Sequence, residues 1–213
     1  MTDSSPQAAD LGLPVAMGEM AGRYREAKDY PRAFDQATKA ANGGDPKGMF
    51  VLGHCYTFGQ GVAKDAALGL KWFEGAAAKG NQAAMHRCGL SYAAGTGCKK
   101  DAVKAVSYFE RAIDLPEAMN ELGNCYYAGE GVEKNLVTAS NLFVASANLN
   151  CLDADVNIGQ MMICGEGVAR NVVSGFRHIN KAAVAGNPIS VAYMAEIADV
   201  VGKWKKSAKI QKE

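Results

Sequence analysis

The side chains best suited to chemistry are six cysteines and three histidines, and none of them stands in a catalytic or metal-binding motif. No two cysteines are spaced as CxxC and no two histidines as HxxxH, whereas zinc sites need closely clustered ligands. We therefore expect reduced, largely buried thiols that act as small hydrophobic residues. One disulfide or metal-binding pair between distant cysteines is the alternative. The cysteines are Cys55, Cys88, Cys98, Cys125, Cys151 and Cys164.

Paired glycines in four GxG segments look, one at a time, like loops that bind phosphate groups. Such loops need a preceding strand and a specific glycine spacing, but these segments follow helical patterns. Glycine ends helices readily because it adopts left-handed backbone angles. No Ser–His–Asp order, nucleophile elbow or acidic pair stands out either, so we predict no enzyme, cofactor or metal. The pairs are Gly59 and Gly61, Gly95 and Gly97, Gly129 and Gly131, and Gly165 and Gly167.

The composition is that of an ordinary globular protein. The chain has 213 residues, 48% of them hydrophobic and 21% charged, with a net charge of +1. Near-neutrality argues against a dominant nucleic-acid surface, and no apolar run approaches the roughly 18 residues that span a bilayer. The start of the chain has no Lys or Arg before Arg23. It therefore resembles neither a secretory signal nor a transit peptide, and we expect a cytoplasmic protein.

One phrase recurs four times along the chain. It reads LGHCYTFGQGVAKD at 52–65, CGLSYAAGTGCKKD at 88–101, LGNCYYAGEGVEKN at 122–135 and IGQMMICGEGVARN at 158–171. Small, apolar and aromatic positions before each GxG follow one face of a helix, and an Asp or Asn after it favours the start of a second helix. Each repeat is therefore predicted to be helix–loop–helix. Its reference position, the glycine column, is held by Gly53, Gly89, Gly123 and Gly159.

The pattern A-xxx-LG-xx-Y-xx-GxGV-xx-D-xx-KA-xx-W-xxx-AA resembles the Sel1-like repeat, a relative of the tetratricopeptide repeat with a longer loop. The resemblance covers roughly residues 46–187, and Tyr24, Tyr30 and Ala33 have tetratricopeptide-like spacing in front of it. We therefore divide the single repeat domain 1–213 into a lead-in, one tetratricopeptide-like unit, four Sel1-like repeats and a capping helix or helices with a basic tail. These segments are 1–13, 14–45, 46–81, 82–117, 118–152, 153–188 and 189–213.

The resemblance implies an all-α fold, a right-handed α-solenoid superhelix whose concave face is lined by the first helix of each unit. We call this face the first-helix face. In tetratricopeptide arrays partners bind at positions −6, −3, +1 and +4 from the glycine column. We expect His54 and His86 to make polar contacts there and His178 to pack between helices. The predicted partner-binding residues are Arg25, Lys47, Phe50, His54, His86, Asn120, Asn124, Tyr127 and Gln160.

A secreted branch of the Sel1-like family, rich in cysteine, differs from this chain. In that branch a disulfide joins the two helices of each unit, and some members have been connected with penicillin binding and β-lactam hydrolysis. The second helices predicted here contain no cysteine. A β-lactam-binding or hydrolysing enzyme is therefore only a minor alternative.

We predict a non-catalytic protein–protein interaction scaffold or adaptor that binds a peptide or protein surface in its concave groove. The central contacts would be Phe50, Asn120, Asn124 and Tyr127, because amides pair with a partner's backbone while aromatic rings fill pockets. The partner would be another protein or a peptide. The alternative is a permanent structural subunit of a large macromolecular assembly, docked by its outer surfaces.

The C-terminal segment is the most strongly biased part of the sequence. We expect it to form a solvated capping helix. Contact with RNA, an acidic protein or anionic lipid is the alternative, since lysines beside a tryptophan suit all three. The segment contains Lys203, Trp204, Lys205, Lys206, Lys209 and Lys212.

Overall fold

The computed structural model describes residues 12–197, and within them it contains helices and no strand. Residues 1–11 of the predicted lead-in and the lysine-rich tail lie outside these residues. Residues 188–197 are also helical. The helices with two described ends are α1 Pro14–Glu26, α2 Tyr30–Asn42, α3 Pro46–Phe58, α4 Ala66–Ala78, α5 Gln82–Ala94, α6 Ala102–Arg111, α7 Pro116–Ala128, α8 Leu136–Asn148, α9 Leu152–Cys164 and α10 Val172–Val184.

The predicted capping residues start the second helix of every repeat. In each case the side chain of an Asp or Asn accepts a hydrogen bond from the backbone N–H three residues later. A cap of this kind contributes about 0.5–2 kcal/mol, because it pairs a donor that the helix leaves open. These caps are Asp65, Asp101, Asn135 and Asn171, and Asp29, Asp45 and Asn81 cap three further helices in the same way.

The first glycine of each GxG pair ends a first helix. Gly59, Gly95 and Gly165 are left-handed C-caps with φ of 71°, 75° and 79°. The second glycine has a different role, since it lies against the backbone at the start of an earlier second helix. A Cβ on Gly97 would collide with the carbonyl oxygen of Ala66, and a Cβ on Gly167 would collide with that of Leu136. The second glycine therefore lets one repeat approach the previous one.

The glycine column joins the two helices within each repeat. A Cβ added to Gly53 would lie 2.6 Å from ring atoms of Phe73, and one added to Gly123 would lie 2.6 Å from the ring of Phe143. Both rings are 1% exposed. The same pairing joins Gly89 to the Phe109 ring and Gly159 to the side chain of Ile179.

The chain divides into two compact units that we describe separately. Unit 1 contains the described residues up to Ala118 together with 130–132, and unit 2 contains 119–129 and the described residues from 133 onward. The core of unit 1 includes Val51, Leu52 and Cys55, and that of unit 2 includes Phe143 and Ile158. The all-α repeat organisation predicted from the sequence is confirmed in both units.

Replacing the second glycine of a GxG pair by alanine should therefore lower the free energy of unfolding by more than the cost of a left-handed backbone angle alone. Gly97→Ala combines a left-handed φ of 75° with a collision against Ala66, whereas Gly80→Ala has a φ of 86° and no atom within 4 Å of the new methyl group. We expect Gly80→Ala to cost about 1–2 kcal/mol and Gly97→Ala about 1–3 kcal/mol more. Urea unfolding measures both, and equal losses would contradict the close-approach role.

Candidate functional site

A pocket of about 320 Å³ lies on the first-helix face of unit 2. It is built by α7, α9 and the helical residues 188–197, and the buried side chains of Phe143 and Met161 lie beneath it. We call it the amide pocket because three amide side chains line it. The three amides are Asn124, Asn157 and Gln160, and Tyr127, Glu166 and Tyr193 also line the pocket.

An amide network fixes one side of this pocket. Asn157 Nδ2 donates to Asn120 Oδ1 at 2.9 Å and to Asn124 Oδ1 at 3.2 Å. Asn124 Nδ2 in turn donates to Glu121 Oε2 at 3.3 Å, and burial raises the pKa of Glu121. Within the described residues no hydrogen bond uses Asn157 Oδ1 or the amide of Gln160. The network therefore holds Asn157 in place and leaves amide groups free for a ligand.

Tyr127 forms the exposed rim of the amide pocket. Its hydroxyl donates to Glu166 Oε2 at 2.7 Å, and this hydrogen bond raises the pKa of Tyr127. The ring is 39% exposed, and Lys134 Nζ lies 5.7 Å from its centroid. The ring is thus fixed at its far end while one face remains accessible.

One predicted contact residue of unit 1, His54, is buried rather than exposed to a partner. His54 is 3% exposed, and its ring centroid lies 4.7, 5.5 and 5.3 Å from those of Phe50, Phe58 and Phe73. Burial, followed by the charges of two nearby arginines, lowers the pKa of His54 to about 3. His54 is therefore neutral at physiological pH. Lys47 forms an ion pair with Glu19.

His86 and Asn120 are further predicted contacts that the fold covers in part or whole. The ring of His86 lies 6.1 Å from that of Phe109, and burial lowers its pKa. Asn120 is 4% exposed and is used inside the amide network. Of the predicted set, Asn124, Tyr127 and Gln160 line the amide pocket.

Position −2 from the glycine column is a site position that the sequence reasoning missed. Asn157 holds this position in the fourth repeat and lines the amide pocket. Arg87 holds it in the second repeat and lines a separate pocket in unit 1. The signal in the sequence is a change of residue type, because this position is Val51 in the first repeat and Glu121 in the third.

A buried carboxylate occupies the inner side of α9. Asp155 is 0% exposed, and its Oδ1 accepts from His178 Nδ1 at 2.8 Å while its Oδ2 lies 2.7 Å from Lys181 Nζ. Lys181 also donates to the carbonyl oxygen of Ala147 at 3.2 Å. His178, which we expected only to pack between helices, thus belongs to a charged cluster.

The thiols differ sharply in accessibility. Burial raises the pKa of Cys55 to about 11 and that of Cys88 to about 12, so both are unreactive core residues. Cys164 is exposed and lines the amide pocket. Among the described residues no group of three or more His, Cys, Asp or Glu side chains is placed to hold a metal ion. No helix within this part of the chain is long and apolar enough to cross a membrane.

The charged cluster around Asp155 stands where the third repeat has three apolar residues. The third repeat has Met119, Leu142 and Ala145 in place of Asp155, His178 and Lys181. We expect His178→Leu with Lys181→Ala to cost about 3–5 kcal/mol, because the buried carboxylate then lacks a cation.

Adding Asp155→Met to that double variant should recover most of the loss, since the site becomes apolar throughout. Chemical denaturation of the double and triple variants measures both steps. A double variant as stable as the parent would show that the cluster contributes nothing.

The lowered pKa of His54 predicts a loss of stability in acid. The unfolded state protonates His54 below about pH 6.5, whereas the folded state does so only near pH 3. Folding is therefore weakened as the pH falls through this window, by up to about 1.4 kcal/mol per pH unit. The variant His54→Phe should show a shallower dependence on pH between 6 and 4. An unchanged slope in thermal unfolding would mean that His54 is protonated in the folded protein.

The comparisons with known proteins agree on one family. Four consecutive segments match the Sel1 repeat, at residues 46–81, 82–115, 116–151 and 152–187. The chitin synthase regulator SKT5 of Saccharomyces cerevisiae is 39% identical over 77 residues, which are 33% of this chain and 11% of that protein. The chain therefore spans a small part of this curated relative.

Solved structures give the same result. A protective antigen of uropathogenic Escherichia coli with an SLR fold has a TM-score of 0.81 and 28% identity, over 92% of this chain and 43% of that one. A Sel1 repeat protein from Oxalobacter formigenes has a TM-score of 0.81 and 29% identity, over 88% and 79%. Because the four repeat matches extend over most of the sequence, the chain belongs to the Sel1 repeat family.

Proposed function

We propose that this protein is a non-catalytic interaction scaffold that binds an extended segment of a partner protein on the first-helix face of unit 2. The observation that carries the proposal is the amide pocket, where unused amide groups lie beside the exposed Tyr127. The pocket volume of about 320 Å³ is at the lower end of the range for ligand sites. It suits one or two side chains of a peptide.

The amides supply the polar half of this recognition. A carboxamide offers both a donor and an acceptor, so it can pair with the C=O and N–H of one peptide unit. Of the amide groups that line the pocket, Asn157 Oδ1 and the Gln160 amide make no hydrogen bond within the described residues. The network holds Asn157 in one conformation before binding. This lowers the loss of side-chain conformational entropy when a partner binds.

The aromatic and apolar residues supply the other half. Tyr127 and Tyr193 line the pocket together with the buried Met161 and Phe143. Tyrosine gives a large contact area at a low cost in side-chain entropy and is common at binding hot spots. The glutamates Glu121 and Glu166 lie beside these groups, so a partner segment of neutral or basic character fits best.

The family context agrees with binding as the mode of action. Repeats that stack in this way present extended surfaces to partners. The matched yeast protein is named as a regulator of chitin synthase, which is a role exercised on another protein. Only this general mode of action, and not that enzyme, is proposed for the present chain.

A structural subunit of a larger assembly is the second candidate. This candidate is favoured by three exposed valines that hold the same position in the second helices of successive repeats. Val103 is 67% exposed in unit 1, and Val137 and Val173 are 59% and 64% exposed in unit 2. Apolar residues that recur on an outer surface are a common basis for permanent contacts.

Selection of peptides from a displayed library on the purified protein provides the test, followed by affinity measurement on selected peptides. We expect Tyr127→Ala with Asn157→Ala to weaken binding at least tenfold and to leave helical content unchanged. The matched control is Val137→Ala with Val173→Ala on the second helices, which should bind normally. Bound peptide should also slow alkylation of Cys164, because this thiol lines the pocket.

The opposite pattern distinguishes the second candidate. Full affinity in the pocket variant would overturn the peptide-binding proposal. Loss of assembly with a native complex in the valine variant alone would identify the outer surface as the functional one.

A further inference from the structure

Unit 1 contains a second pocket on its first-helix face, between α3, α4 and α5. It has a volume of about 250 Å³ and differs from the amide pocket in charge. Its polar side chains are one guanidinium and three hydroxyls, and aromatic and aliphatic side chains complete it. We call it the cationic pocket. The residues that matter here are Thr57, Phe58, Arg87, Leu90, Ser91 and Thr96.

The guanidinium of Arg87 has no acidic partner among the described residues. No ion pair or hydrogen bond to Arg87 occurs in this part of the chain, although burial and then the charge of Arg25 lower its pKa. Arg25 is likewise without a carboxylate, and its Nε is buried without a hydrogen bond. Within the described residues the charge of Arg87 is therefore uncompensated, which is costly in a partly buried site.

A buried histidine supports the same interpretation. His54 contacts Phe58 and Phe73, two walls of the cationic pocket, and it is 3% exposed. Its Nε2 is buried without a hydrogen-bond partner. Both Arg25 and Arg87 act electrostatically on this ring. A buried polar atom without a partner is rare in proteins, so the environment of His54 beside this pocket is unusually poor in acceptors and donors.

The repeat itself provides an internal comparison. Asn157 and Arg87 hold the same repeat position, and Asn157 Nδ2 donates to Asn120 and Asn124 of the preceding repeat. The residues equivalent to Asn120 and Asn124 in front of Arg87 are Phe50 and His54. A phenyl ring accepts no such hydrogen bond, so the repeat architecture that satisfies Asn157 leaves Arg87 open.

We propose that the cationic pocket binds a carboxylate of an acidic side chain presented by a partner peptide. Arg87 would donate to the two carboxylate oxygens, and the hydroxyls of Ser91 and Thr96 lie in the same pocket as further donors. Thr57 is excluded as a donor, because its hydroxyl already donates to the carbonyl oxygen of Gly53 at 2.8 Å. Leu90 and Phe58 form an apolar wall suited to the methylene groups of a glutamate.

Binding of a fluorescein-labelled octaglutamate peptide to the full chain tests the proposal by fluorescence anisotropy. We expect Arg87→Gln to weaken binding at least tenfold at 0.15 M salt, and Arg87→Lys to bind at an intermediate level. The matched control Lys71→Gln removes the same charge from an exposed position of α4 and should bind like the parent protein. Without peptide, Arg87→Gln should be at least as thermostable as the parent, because its charge is unpaired there.

Each other outcome counts against the site. Absence of octaglutamate binding, or an equal loss in Lys71→Gln, would overturn the proposal, since the second result indicates only net charge. Binding of a phosphoserine peptide in place of octaglutamate would overturn the choice of a carboxylate. Tyr127→Ala with Asn157→Ala should leave octaglutamate binding intact, so the result is independent of the amide pocket in unit 2.

Discussion

The contact between a glycine of one helix and a buried side chain of the next, an aromatic ring in three repeats and Ile179 in the fourth, is the constraint on which each repeat depends. The rings of Phe73, Phe109 and Phe143 are almost fully buried, and each covers the space where a Cβ of the glycine column would stand. Burial of such a ring contributes about 1.5–3 kcal/mol, and the close approach of the two helices depends on the missing side chain. Because one small residue per helix satisfies this requirement, the neighbouring positions on the first helix are left free to vary.

The free positions give the two units different chemistry on the same backbone. Position −2 holds Asn157 in unit 2, where amide oxygens of the previous repeat accept hydrogen bonds from its Nδ2. The same position holds Arg87 in unit 1, where no acceptor meets it among the described residues. One pocket is therefore lined by neutral amides and the other by an uncompensated cation. Repeat proteins separate packing from recognition in this way, since the residues that stack the repeats are not those that face a partner.

Much of the secondary structure follows from short-range signals. The caps Asp65 and Asn135 bond to backbone groups three residues away, and Gly59 ends its helix through its own backbone angle. The recognition surface was harder to derive, and His54 shows why. Its register on α3 is that of a first-helix residue, as predicted, but Phe58 and Phe73 enclose its ring. The position of a residue in the helical repeat predicts the face on which its side chain lies. It does not predict whether side chains from other helices cover it.

The sequence by itself determined the repeat, its helix–loop–helix organisation and the residues that cap its helices, because these depend on residues within one repeat and on periodic spacing. Tertiary structure alone decided which polar groups are satisfied. Asn157 finds its acceptors 33 and 37 residues away, and the buried Asp155 finds its cation, Lys181, on the following helix. These pairings differ between repeats of nearly identical pattern. They are set by distances between side chains across packed helices, which a linear pattern does not contain.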